Sequence, residues 1–280
     1  MNLSLISIPT NTLALDGLWY EPNSPPRGAA MFLHGNCMNF YTGPARIVPP
    51  ALVSLGYACL AFNRRGHDMV ATTNSRAITG GAFQMTKDAI ADNRYAAGWL
   101  KDRGFAAPIV IGHSNGGMLA VQHVADHPET PALVLLSAHL GGKSIVPHAS
   151  KAGLLGGDRI DDMEKQARDM VAAGRGGELM LLPGWWHVLT AESYLDYGSE
   201  LPDVLALAPR IKCPTLTIRG DKEPAHIYPA EEFAARARGR CDVRIVKDCD
   251  HFYGGRENTI SEIITGWLQD LGLDHALAKT

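Results

Sequence analysis

The sequence predicts an α/β fold: a doubly wound, mostly parallel sheet with an insertion between its sixth and seventh core strands. Three observations carry this. Short apolar runs of strand length alternate with amphipathic helical patterns, which is how a parallel sheet flanked by helices is written into a chain. Most of these runs lack polar alternation, as expected of strands covered on both faces. The rhythm breaks once, over roughly 75 residues between two successive runs, far more than a crossover helix requires.

Taken in order, residues 3–8 and 13–20 read as an antiparallel edge, turned at Asp16-Gly17 or just before Thr12. Apolar runs then begin at Ala30, Tyr57, Ile109, Ala132, Thr215 and Val243. After the Ile109 run, Met118, Val121, Val124 and Ala125 repeat at helical spacing up to a stop near His127-Pro128. A later helix begins near Pro229, whose ring suits a first turn, with Glu231 and Glu232 at its positive end and Gly239 as terminator. The last helix is the clearest, with Ile260, Ile263, Ile264, Trp267, Leu268 and Leu271 on one stripe.

The long interval divides the chain into a core of residues 1–138 and 208–280 and an insertion of residues 139–207. The insertion opens with Gly141-Gly142, and Gly153, Gly156 and Gly157 follow. It then carries a helix with Met163, Ala167, Met170 and Val171 on one face, ended by Gly174, and an aromatic segment with Trp185, Trp186, His187, Tyr194 and Tyr197. In this position it reads as a lid over the carboxyl edge of the sheet, where open α/β sheets bind ligands.

Composition narrows the function. The 280 residues are 46% hydrophobic and 20% charged, a globular balance. A formal net charge of −3 without a basic cluster argues against nucleic-acid or polybasic membrane partners. No apolar run approaches the ~20 residues of a membrane span, and Met1-Asn2-Leu3-Ser4 does not open like a signal peptide. Cys37, Cys59, Cys213, Cys241 and Cys249 are scattered without a CxxC pair, which reads as reduced cytoplasmic thiols. His123 and His127 stand four apart, yet no carboxylate cluster supports them, so neither metal nor other cofactor is expected. The oligomeric state is left open.

The sharpest motif is Gly112-His113-Ser114-Asn115-Gly116, directly after a buried run and directly before a helix. A nucleophile held on such a turn sits at strained backbone angles, and its neighbours at ±2 must lack side chains for the turn to close. Ser114 is therefore the expected nucleophile. It needs a base, and the base needs an orienting acid. His251, just past the last run, stands at the same sheet edge and is the expected base. The loop after the Thr215 run offers Glu223 and Asp221; Glu223 is preferred, with Asp221 as the alternative that otherwise braces the loop. The amides of Asn36 and Asn115 are the expected oxyanion donors, and His34 reads as a structural histidine of that loop. Cys37, Trp185, Trp186, Tyr194 and Tyr197 are the expected pocket wall.

These motifs together resemble the α/β-hydrolase fold family over roughly residues 25–270. His34-Gly35-Asn36 is similar to its HG-x oxyanion motif, Asn63-Arg64-Arg65-Gly66-His67 to its RGxG turn, and Gly112 to Gly116 to its nucleophile elbow. Gly220-Asp221-Lys222-Glu223 resembles its G-x-x-acid loop and Asp250-His251 its terminal histidine. In that family the G-x-x-acid position orients the base, which favours Glu223. His67 stands where the turn usually has its second glycine, so the turn is expected to differ locally. The pattern also resembles a subgroup that includes siderophore esterases. The resemblance implies a serine hydrolase cleaving a small carboxylic ester, and the wall of Trp185, Trp186, Tyr194 and Tyr197 favours a hydrophobic or aromatic one. The same triad also serves C–C bond, lactone and amide hydrolases and acyltransferases, and the fold can serve a non-catalytic receptor.

Overall fold

A computed structural model of the chain describes residues 1–72, 76–153, 156–183 and 187–273. In chain order it begins with β1 (Asn2–Ile8), β2 (Leu15–Glu21), β3 (Ala29–Leu33), α1 (Pro44–Ser54) and β4 (Ala58–Phe62). A small hairpin of β5 (Ala71–Thr72) and β6 (Ile78–Thr79) precedes α2 (Thr86–Lys101). Then come β7 (Ile109–His113), α3 (Asn115–Asp126) and β8 (Leu133–Leu136). The insertion contains α4 (Ile145–Lys151), α5 (Ile160–Ala172), a hairpin of β9 (Leu179–Leu181) and β10 (Val188–Thr190), α6 (Ala191–Ser199) and α7 (Val204–Leu207). The chain closes through β11 (Thr215–Gly220), α8 (Ala230–Arg236), β12 (Cys241–Val246) and α9 (Glu257–Leu271).

Eight of these strands form one sheet in the order β1-β2-β4-β3-β7-β8-β11-β12. Pairings β1/β2 and β2/β4 are antiparallel; the others are parallel. Side chains alternate across the strands into two apolar layers. Ala30, Phe32, Ile109, Ile111, Val134 and Leu136 face α1 and α9, meeting Val48, Leu52, Ile260, Ile264 and Trp267. Met31, Leu33, Val110, Leu133 and Leu135 face the opposite layer, where Ala96, Leu100, Met118, Val121 and Val124 cover them. Burial on both sides explains why these runs carry no polar alternation, each large side chain contributing about 1.5–3 kcal/mol.

This order places the site. From β3 the chain crosses outward to β4, then returns past β3 to β7, so the loops after β3 and β7 leave their neighbouring strands in opposite senses. Such a switch point opens a crevice at the carboxyl ends of the strands.

The structure corrects several local expectations. Of the two turn positions expected, the one just before Thr12 falls in the connection of residues 9–14, while Asp16 and Gly17 lie inside β2, opposite Ser7 and Ile6. Pro229 precedes α8 rather than opening its first turn, and the helix ends at Arg236, before Gly239. Val171 is exposed rather than on the buried face that Met163, Ala167 and Met170 form. Leu140, Ile145, Leu201 and Val204 pack in the main core, so both ends of the insertion belong to that packing. Its middle has an apolar cluster of its own, including Ala149, Met163, Met170, Met180 and Leu189. Among the described residues, no helix is long and apolar enough to cross a membrane. The five cysteines are free thiols.

Candidate active site

Ser114 stands between β7 and α3 with φ 55° and ψ −119°, a conformation that a side-chain-bearing residue rarely holds. Its N–H donates to Leu136 O at 2.8 Å, which ties the turn to β8. Close backbone approach enforces the neighbouring glycine: a Cβ on Gly116 would stand 2.2 Å from Leu33 O and 2.4 Å from His34 O. The start of α3 is thus pressed against the end of β3. Asn115 is the first residue of α3, so its N–H has no acceptor within the helix and lies at the positive end of the dipole.

The structure brings Ser114, His251 and Glu223 together. Nδ1 of His251 lies 2.7 Å from Glu223 Oε1, and Nε2 lies 3.0 Å from Ser114 Oγ. A carboxylate only accepts, so Nδ1 carries the proton and donates to it. Nε2 is then the bare nitrogen facing the serine hydroxyl. Glu223 is buried, and its Oε2 accepts from Gly220 N–H at 2.8 Å and Ser137 Oγ at 2.6 Å. Asp221 is exposed, and its Oδ1 accepts from Cys249 N–H at 3.1 Å.

Gly35 passes beside the serine: a Cβ there would stand 3.3 Å from Ser114 Cβ and 3.1 Å from His113 Nδ1. His34 anchors this loop. Its Nε2 accepts from Arg64 N–H at 3.1 Å, so its Nδ1 donates to Gly35 O at 2.8 Å. Both nitrogens are committed, and burial, followed by the Arg64 charge, holds the ring well below the usual histidine range. The fully buried Arg64 also donates to His34 O at 2.6 Å and to Asn115 Oδ1 at 3.4 Å, joining the two expected oxyanion segments. Burial lowers its guanidinium to about 10 while nearby Asp92 opposes the fall, so it stays charged at neutral pH. At the Arg64 turn the His67 N–H donates to Arg64 O at 3.0 Å and its ring lies 2.8 Å from Asp68.

His113 Nε2 donates to the carbonyl of His251 at 2.9 Å, and the two rings lie 4.9 Å apart. Burial, with the His251 charge second, pushes His113 down to about 3, which keeps it neutral. Tyr228 packs on the other imidazole neighbourhood with a centroid distance of 4.9 Å to His251. Burial, then the Glu223 carboxylate, raises the Tyr228 phenol. Burial raises the phenol of Tyr197 of α6, with Tyr228 and then Cys37 adding to the rise. Burial first, then Asp68, pushes the Cys37 thiol up to about 12, so it behaves as a small apolar group rather than a nucleophile. Tyr194 lies instead in the insertion's own cluster with Met163 and Met170; burial, then Glu164 and Asp161, raise it to about 12. Trp185 and Trp186 lie outside the described residues.

Sequence reasoning did not single out Ser137, Tyr228 or Tyr253. Ser137 ends the Ala132 run and Tyr253 follows His251 by two, so position at the carboxyl edge is the signal that was present for both. Among the described residues there is no group of three or more His, Cys, Asp or Glu that could hold a metal ion.

A sequence model of the alpha/beta hydrolase family matches residues 30–257. The chain belongs to the alpha/beta hydrolase family. Among curated proteins none matches the sequence. Similar solved structures include Est1E from Butyrivibrio proteoclasticus with ferulic acid bound, 17% identical with a TM-score of 0.73, covering 95% of this chain and 98% of that one. A thermostable carboxyl esterase from Bacillus coagulans is 14% identical with a TM-score of 0.71, covering 97% and 99%. Dienelactone hydrolase from Anabaena variabilis is 17% identical with a TM-score of 0.60, covering 96% and 97%. At these identities the likeness is one of fold.

Proposed function

We propose that the protein is a serine hydrolase that cleaves a carboxylic ester through an acyl-enzyme. The observation that carries this reading is the chain of contacts from Ser114 Oγ to His251 Nε2 at 3.0 Å and from Nδ1 to Glu223 at 2.7 Å. His251 takes the Ser114 proton as Oγ attacks the ester carbonyl, and Glu223 holds and stabilises the imidazolium that forms. The oxyanion lies against the N–H groups of Asn36 and Asn115. His251 then gives its proton to the leaving alcohol, and the acyl group remains on Ser114. Water, deprotonated by the same nitrogen, releases the acid and restores the serine.

Tyr228 puts aromatic surface beside His251, which supports a hydrophobic or aromatic ester as substrate. Residues 139–207 act as a lid in this reading. The ferulic acid bound to Est1E makes phenolic esters a rational first panel. The five free thiols suit a reducing, cytoplasmic setting.

The test is labelling by a fluorophosphonate probe together with hydrolysis of a short p-nitrophenyl ester. Wild-type protein should label and turn over, and Ser114→Ala should do neither while keeping its circular dichroism spectrum. Labelling that persists in Ser114→Ala removes this serine from the mechanism.

A further inference from the structure

Glu223 presents its carboxylate on a side chain one methylene longer than aspartate, with one more torsion to hold. Oε1 meets His251, while Oε2 meets Gly220 N–H at 2.8 Å and the Ser137 hydroxyl at 2.6 Å. Ser137 Oγ in turn lies 2.5 Å from the Tyr253 hydroxyl. Proton counting orders this chain. The carboxylate only accepts, so the single Ser137 proton goes to Oε2. Ser137 can then take part in the second contact only as acceptor, so Tyr253 donates to it. The other acceptor near Tyr253, Ile218 O, is more distant at 3.3 Å.

The backbone shows that these two hydroxyls are held in place by the surrounding structure. Ser137 has φ 45° and Tyr253 φ 61°, left-handed conformations at residues other than glycine. Ser137 N–H is pinned to Ile218 O at 2.8 Å, where β8 and β11 end. Tyr253 is wholly buried in the apolar layer of α1 and α9.

We propose that Tyr253 and Ser137 form a positioning relay, Tyr253 O–H to Ser137 O–H to Glu223 Oε2, that fixes the carboxylate so that Oε1 faces His251. The proposal rests on the reading of Ser114, His251 and Glu223 as a catalytic triad. Burial, then the Glu223 charge, raises the Tyr253 phenol well above its ordinary range, so it remains a donor throughout. Tyr253 touches no reacting atom and acts only through Ser137.

The experiment measures kcat and KM on a p-nitrophenyl ester for Ser137→Ala, Tyr253→Phe and the double variant. A hydrogen bond to a charged group corresponds to ~10–100-fold in rate, and Ser137→Ala should lose that much kcat with KM within about twofold. Tyr253→Phe keeps the buried ring and should lose about 3–10-fold, since it removes one neutral hydrogen bond. The double variant should be no worse than Ser137→Ala, because a relay in series has nothing left to lose. An unchanged kcat in Ser137→Ala, or a double variant whose loss is the product of the single losses, overturns the relay. The low-field proton resonance of His251 Nδ1–H gives a readout independent of turnover. It should move in Ser137→Ala and less in Tyr253→Phe even if wild-type protein hydrolyses no ester, and an unmoved resonance in both overturns the relay. Absence of ester turnover and of labelling in wild type overturns the hydrolase reading alone.

Discussion

Asp221 and Glu223 stand two residues apart on the loop after β11 and bind different partners: Glu223 Oε1 lies 2.7 Å from His251 Nδ1, while Asp221 Oδ1 takes the Cys249 N–H at 3.1 Å. Aspartate at 221 is the shorter side chain, and it is used up in bracing the loop that carries His251. The division of labour follows from reach and burial, since Glu223 is enclosed and Asp221 is exposed.

The two carboxylates are therefore expected to respond differently to amidation. Glu223→Gln should lower kcat by ~10⁴-fold, the scale on which a catalytic histidine fails when its orienting acid is replaced by an amide. Asp221→Asn should stay within about threefold, because an amide oxygen still accepts from Cys249. Steady-state kinetics on one ester decides it; comparable losses in both variants would mean that the acid is shared.

The loop after β3 has almost no tolerance for added volume. In Gly35→Ala the new methyl would stand 2.8 Å from Met38 Sδ, 3.1 Å from His113 Nδ1 and 3.3 Å from Ser114 Cβ. Met38 can swing away, but the His113 ring is held by His251 O and cannot follow as readily. The loop should move off Ser114 and take the Asn36 amide with it. Loss of one oxyanion donor corresponds to ~10²–10³ in kcat, with KM less affected. A crystal structure of the variant checks the displacement directly.

Several of these contacts were legible in the chain and others were not, for physical reasons. Ser114, Glu223 and His251 each follow an apolar run, and in a parallel sheet every such position lies at the same carboxyl edge, so strand placement alone brought them near one another. At the β1–β2 turn two positions were legible and only the one before Thr12 holds: Asp16-Gly17 has the composition of a hairpin turn, but Leu15, Trp19 and Tyr20 pack in the core and draw both residues into the strand. Ser137 and Tyr253 were hidden because their partners are distant in sequence, 86 residues from Ser137 to Glu223 and 116 from Ser137 to Tyr253. Tyr194 and Tyr197 looked equivalent in the helical pattern, yet the first is buried within the insertion's own cluster and the second packs both there and against the main core. Only tertiary packing separates residues so close on one helix.

The insertion is fastened to the core by a carboxylate that caps another helix. Asp196 of α6 accepts from the Thr86 N–H at 2.8 Å and the Thr86 hydroxyl at 2.6 Å, at the first residue of α2. The preceding Met85 supplies no side-chain cap of its own, so Asp196 satisfies an amide that the helix leaves open. Asp196→Ala should cost about 1–2 kcal/mol, as loss of a helix cap does. In a chain of this size that corresponds to a fall in Tm of about 2–8 °C. Hydrogen exchange should accelerate at the start of α2 and in α6 together; acceleration in α2 alone would show that the insertion is held by other contacts.

Acid should weaken the fold through its buried histidines. Burial is the leading cause in each case: His113 is pushed down to about 3, His139 to about 4 with His251 adding to the fall, and His123 to about 4 with His127 adding to it. The unfolded chain returns each ring to ~6.5, so between pH 6.5 and 4 the unfolded state binds protons that the folded state refuses. Stability is therefore complete above pH 6.5 and falls as pH drops toward 4. Over pH 7 to 5 each of these rings contributes a loss of about 2 kcal/mol, and buried His34, also held low, adds to it in the same direction. Urea midpoints at pH 7 and pH 5, at equal m-value, measure this. His123→Gln isolates one contribution away from Ser114, since His123 lies on the far part of α3 against His127, ring centroids 4.3 Å apart. That variant should show an acid-induced loss smaller by about 2 kcal/mol than wild type. An identical loss would mean that the His123 ring gains its proton in the folded state as readily as in the unfolded chain.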